Sequence, residues 1–136
     1  KLKIAVQEAI GRGYRHFISG MAAGIDLLAA KIVLQMRENM PDKGITLEAV
    51  VPFPDQPRRW KEETKREYES IISRCDKVHS IAAAFSVAAY QERDRYMVER
   101  SSRLIAVPGR SNGGTARTIA YAERLNREVV LLNVYA

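Results

Sequence analysis

Helical stripes and short strand-like runs alternate along the whole chain, and that alternation constrains the fold more than any other feature. Residues 2–10, 24–40, 58–75, 87–101 and 115–126 carry apolar positions at helical spacing. Between them lie strand-like runs at 14–18, 45–51, 77–82, 103–107 and 128–134. Strands separated by helices favour βαβ units, hence a parallel sheet covered on both faces. The expected class is α/β. A doubly wound sheet usually begins on a central strand, whereas this chain opens in a helix, so a first strand is expected to be missing from it. No linker, repeat or low-complexity tract interrupts the 136 residues, which read as one domain over 1–136.

Composition excludes several classes. No apolar run approaches the ~20 residues of a membrane helix, and no basic-then-apolar leader is seen, so no membrane partner is expected. The single Cys75 forms no internal disulfide, which points to a reducing compartment, the cytoplasm. Lysine and arginine outnumber the acids, giving a net charge of +6. That balance admits nucleotides, nucleic acid or other anions. It also describes a plain solvated surface, because the charges are spread along the chain rather than gathered in a tail.

Two strand-to-helix turns stand out. In Ser19-Gly20-Met21-Ala22-Ala23-Gly24-Ile25-Asp26 the glycines allow close backbone approach, and Ser19 can donate a hydroxyl to a phosphate. Unpaired N–H groups at a helix start, aided by the helix dipole, suit an anion. Asp26 cannot favour a phosphate by charge; it suits a helix cap or a ribose hydroxyl. The second turn, Asn112-Gly113-Gly114-Thr115, follows another strand-like run. Ligands of α/β sheets settle at the carboxyl ends of strands, where both turns are expected. The structural reading is that the glycines merely turn the chain. Neither turn carries the dinucleotide fingerprint or a P-loop lysine.

Gln56 and Trp60 end a proline-rich loop, where they can bond and stack on a base; Trp60 equally heads the buried stripe of its helix. Arg58 and Arg59 are expected at that helix start, an unfavourable place for cations unless an anion is near. On the helix at 87–101, Arg93 is the better candidate to reach a ligand, while Arg95 and Glu99 read as a surface ion pair. His16 and His79 have no companions at metal spacing, and Cys75 reads as a buried thiol. No metal, cofactor or catalytic constellation is expected.

Phe17 to Asp26, then Pro52-Phe53 with Gln56 and Trp60, then Arg95-Tyr96-Met97-Val98, then Gly113-Gly114-Thr115 with Tyr121-Ala122, together resemble the YpsA/YoqJ-like domain. That is a bacterial family of unknown function in the SLOG superfamily, related to the LOG phosphoribohydrolases and the DNA-processing protein DprA. The resemblance covers essentially the whole chain. It implies a Rossmann-like three-layer sandwich with a mainly parallel sheet, and a nucleotide-derived ligand over the two turns. Three departures accompany it. The family's opening strand with its Gly-x-Arg element is absent, Arg93-Asp94 replaces an arginine-asparagine pair, and Thr118 stands where LOG enzymes carry a glutamate. Without that carboxylate, glycosidic cleavage loses its acid–base group.

The reading is a ligand-binding or sensor module for a nucleotide or ADP-ribose-like small molecule. Its expected ligand-binding residues are Ser19, Gly20, Met21, Gly24, Asp26, Gln56, Trp60, Arg93, Gly113, Gly114 and Thr115. The alternatives are a LOG-like nucleoside-monophosphate hydrolase and a DprA-like single-stranded DNA module, nucleic acid being the less favoured partner. Apolar Leu27, Ala30 and Leu34 lie outside one stripe of their helix and suit either a homodimer or burial within the chain.

Overall fold

A computed structural model describes residues 1–108 and 114–133. The elements run α1 (Leu2–Gly11), β1 (His16–Ser19), α2 (Ile25–Asn39), a single 3₁₀ turn (Pro41–Lys43), β2 (Thr46–Val51), α3 (Glu62–Arg74), β3 (Lys77–Ser80), α4 (Val87–Glu99), β4 (Arg103–Ala106), α5 (Gly114–Arg124) and β5 (Glu128–Leu131). Helices and strands alternate as the sequence predicts, in a Rossmann-like α/β arrangement.

The strands pair in parallel throughout, but as two sheets rather than one. β1, β2 and β3 form the first, with His16 opposite Thr46 and Glu48 opposite Lys77. β4 and β5 form the second, with Arg103 opposite Glu128. Among the described residues no backbone hydrogen bond joins β1 to β4.

β2 is the best-buried strand because both its faces are covered. Leu47, Ala49 and Val51 enter the main core beneath α1, α2 and α3, together with Ile10, Leu27, Leu34 and Ile71. Side chains alternate along a strand, so Val50 points to the other face, where α4 packs on β2. The small Ala30 lets α2 sit close to its neighbours. Leu27, Ala30 and Leu34 are each at most 1% exposed within this one chain, which accounts for the excess apolar surface of α2.

One helix begins later than its periodicity suggests. The stripe running back to Arg58 predicts a helix from 58, but α3 starts at Glu62. Pro52, Pro54 and Pro57 lack N–H donors, and tight turns form instead, with Gln56 N–H bonded to Phe53 C=O and Trp60 N–H to Pro57 C=O. Glu62 and Glu63 then occupy the first turn, where the dipole favours acids. Arg58 and Arg59 therefore stand in the preceding turns rather than at a helix start.

Polar side chains tie the second sheet to the first half of the chain. Arg103, its side chain 4% exposed, bonds Glu128 at 2.9 Å, lies 3.8 Å from Glu8 of α1 and covers the Tyr14 ring. Lys1 adds a bond to the Asn133 carbonyl. No helix among the described residues is long and apolar enough to cross a membrane.

Candidate functional site

The turn after β1 is held in an unusual shape. Met21 has φ 59° and is fully buried, and Gly24, which precedes the first residue of α2, has φ 94°. A left-handed conformation at a non-glycine residue costs about 1–2 kcal/mol and persists only when its surroundings impose it. Here they do. The Ser19 hydroxyl accepts from Met21 N–H at 3.1 Å and donates to the Asp26 carbonyl at 3.2 Å. The Asp26 carboxylate accepts from Ala22 N–H at 3.2 Å. Gly20 has no room for a side chain, since a Cβ there would stand 3.0 Å from Asp26 Oδ2 and 3.1 Å from Arg93 Cδ.

Arg93 comes from the middle of α4 and closes this turn from above. Its Nη1 donates to the Gly20 carbonyl at 2.9 Å and to Gln56 Oε1 at 3.3 Å, and its Nε donates to Asp94 Oδ1 at 2.9 Å. Gln56 in turn donates to the Met21 carbonyl at 3.2 Å. Arg93 is long enough for this reach, and its stem lies against Gly20 while its head sits over the Tyr90 ring. Asp94 then faces the start of α5. Its Oδ2 lies 3.9 Å from the Cβ position of Gly114, the first residue of α5.

The charge balance here is uneven. Burial pushes the Asp26 carboxyl above the usual carboxylate range, and the neighbouring Asp94 adds to this; the Ala22 N–H and Arg93 offset part of it. Two carboxyl groups thus share one buried guanidinium, and burial disfavours the charged form of the one deeper in the turn.

The structure gathers Gly20, Met21, Asp26, Gln56 and Gly114 about Arg93 and Asp94 of α4, with Ser19 and Gly24 in the same turn as Gly20. Several face inward. Ser19 and Gln56 are 6% and 8% exposed, and their polar atoms brace the turn. Met21 buries its side chain in the core, leaving only its backbone near the turn. Thr115 is exposed in the first turn of α5, and Gly113 lies outside the described residues. Trp60 stands apart, edge-on to Tyr68 at 5.5 Å and packed against the main core.

Sequence reasoning missed two features. Asp94 accepts from Arg93 and faces the start of α5, a placement that an acid replacing an amide in the sequence does not show. Phe85 is 68% exposed and forms an aromatic cluster with Phe53 and Tyr90, the latter under Arg93. A lone aromatic ahead of a helix gives no periodic signal; only Ser86, which caps α4 through Ala89 N–H, marks the spot in the sequence. The expected Arg95–Glu99 pair does not form, because Glu99 accepts from the Tyr121 hydroxyl at 2.6 Å. His16 bonds Thr46 and the buried Glu48, and His79 stacks on Tyr96. Among the described residues no three His, Cys, Asp or Glu side chains gather as a metal site.

The family model for YpsA, described as the YspA SLOG family, matches residues 1–135. A UPF0398 protein of Bacillus cereus (strain B4264) is 31% identical over 114 residues, covering 82% of this chain and 60% of that protein. A UPF0398 protein of Brevibacillus brevis (strain 47) is 29% identical over 105 residues, covering 76% and 54% respectively. The chain therefore spans less than two thirds of these relatives. Among solved structures, (E)-4-hydroxy-3-methyl-but-2-enyl diphosphate reductase is similar at 16% identity and a TM-score of 0.30, over 97% of this chain and 50% of that one. Nothing about this chain follows from that last likeness.

Proposed function

The chain belongs to the YspA SLOG family, and on that premise we propose that it binds a nucleotide or nucleotide-derived small molecule where α4 joins the two glycine turns. One observation carries this reading. A strained, glycine-dependent turn and the N-terminus of α5 meet through Arg93 and Asp94 of a single helix. First-turn N–H groups of α2 and α5 hold phosphate, as helix starts do. Asp26 takes a sugar hydroxyl, and the exposed Phe85 ring offers the base a stacking surface that Trp60, packed on Tyr68, does not. The role is that of a binding or sensing module.

A thermal-shift titration with AMP, GMP, ADP and ADP-ribose tests the reading. A ligand at 100 times its dissociation constant adds about 2.7 kcal/mol of stability, a shift that is easily measured. Failure of every nucleotide to raise the melting temperature at millimolar concentration overturns it. A second reading, cleavage of an N-glycosidic bond, draws on the Asp26 carboxyl, which burial pushes up from the ordinary carboxylate range, as the acid–base group beside Asp94. It requires release of free base from a nucleoside monophosphate that is lost in Asp26→Ala.

A further inference from the structure

At the opposite end of β1 from the glycine turn, three polar side chains line up in series. His16 stands opposite Thr46 in the ladder, and Glu48 follows two residues on along β2, so all three project from one face of the sheet. His16 Nδ1 lies 2.6 Å from Thr46 Oγ1, and Nε2 lies 2.9 Å from Glu48 Oε1. The Glu48 side chain is 5% exposed; its Oε2 has no hydrogen-bond partner among the described residues, and Lys77 Nζ stands 3.9 Å from it. A carboxylate only accepts, so it draws the ring hydrogen to Nε2 and leaves Nδ1 of the neutral ring as an acceptor. The Thr46 hydroxyl therefore donates to the imidazole. Ser73, Ser101 and Thr118, by contrast, donate to nearby backbone carbonyls, where a hydroxyl gains no base.

We propose that these residues form an acyl-transfer site, with Thr46 as nucleophile, His16 as its general base and Glu48 as the positioning residue. The site stands apart from the nucleotide reading and does not rest on it. Thr46 Oγ attacks the carbonyl carbon of an activated ester or thioester, and its hydrogen passes to His16 Nδ1. The adduct then collapses: the bond from that carbon to the leaving oxygen or sulfur breaks, His16 gives its proton to the leaving group, and the acyl group stays on Thr46. Glu48 fixes the tautomer of the ring and stabilises the imidazolium formed on the way. The buried carboxylate behind the ring disfavours an anionic phosphoryl donor, so an uncharged carbonyl is the fitting electrophile. Thr46 is partly exposed and the His16 side chain 47% exposed, which gives a small donor access from solvent.

Timed exposure of the whole chain to p-nitrophenyl acetate, followed by mass spectrometry of the tryptic digest, tests this. In the segment 44–58 Thr46 is the only hydroxyl, amine or thiol side chain, so an acetyl group there reports Thr46 alone. Thr46 should be acetylated about a hundredfold faster than the exposed Thr115, the low end of what a positioned base supplies. His16→Gln, at an exposed position, should lose that advantage, with the melting temperature confirming that the variant folds. An advantage below about tenfold in the chain, or one above about tenfold that survives in His16→Gln, overturns the site. Nitrogen-15 NMR then tests Glu48 itself. With two histidines in the chain, the His16 signals should show the ring hydrogen on Nε2. In Glu48→Gln that preference should weaken and acetylation of Thr46 should slow with it. A hydrogen on Nδ1 in the chain, or a folded Glu48→Gln with tautomer and rate unchanged, overturns the role given to Glu48; should that variant fail to fold, the tautomer in the chain decides.

Discussion

Replacing Arg93 by methionine keeps a stem of similar length against Gly20 and removes only the guanidinium. Three hydrogen bonds disappear, to the Gly20 carbonyl, to Gln56 and to Asp94. The Gly20 carbonyl loses its charged donor in a buried position, which alone costs about 1–3 kcal/mol. Asp26 and Asp94 also lose the cation between them. Breaking a buried ionic network by removing one partner costs about 3–5 kcal/mol, and Arg93→Met should fall in that range. Against a total stability of roughly 5–15 kcal/mol this is a large fraction. In urea, with a slope near 2 kcal/mol/M, the midpoint should drop by roughly 2 M. Arg93→Lys keeps the charge but not the fork, so it should lose about half as much. A loss below about 1 kcal/mol for Arg93→Met, or a lysine variant as stable as the parent, would refute the idea that this guanidinium fastens the turn after β1 to α4.

Other expectations concern the same elements. Gly20→Ala puts a Cβ 3.0 Å from Asp26 Oδ2 and 3.1 Å from Arg93 Cδ, and should destabilise by about 1–3 kcal/mol in chemical denaturation. The two perturbed aspartates act in opposite directions with pH. Burial raises the Asp26 pKa, so its contribution is fully present below the ordinary carboxylate range and lost as pH rises through the raised value; Asp26→Asn should gain on the parent over that rise. The Leu47 N–H, with help from Arg37, lowers the Asp76 pKa, so its contribution is present above the ordinary range and lost as pH falls through the lowered value. Asp76→Asn should flatten the acid side of the melting profile. Burial, with the adjacent Asp76 carboxylate, pushes the Cys75 thiol up to about 11 from 9.0. At pH 8 that cuts its thiolate about a hundredfold, and the greater nucleophilicity of a more basic thiolate leaves alkylation by iodoacetamide about tenfold slower than for an ordinary cysteine.

The order of elements was legible because periodicity is local. Val33 and Met36 announce α2 within a few residues of one another, and Val50 lies in an apolar run that can only be a covered strand. α3 was misplaced at its start because Trp60 continues the helical stripe in sequence while the prolines before it impose turns. The site was legible in its glycines and not in its wiring. Ser19 and Gln56 read as ligand contacts because hydroxyl and amide groups suit phosphates and bases, and the same chemistry lets them fasten Met21. Arg93 and Gly20 are 73 residues apart, and only the packing of α4 over β2 makes them neighbours.

Arg103 of β4 has the consequence that reaches furthest. Its guanidinium bonds Glu128 of β5, lies 3.8 Å from Glu8 of α1 and covers the Tyr14 ring, so one buried side chain moors the second sheet to α1. Amides of β4 and β5 should therefore exchange with deuterium sooner in Arg103→Met, while those of β2 keep their protection.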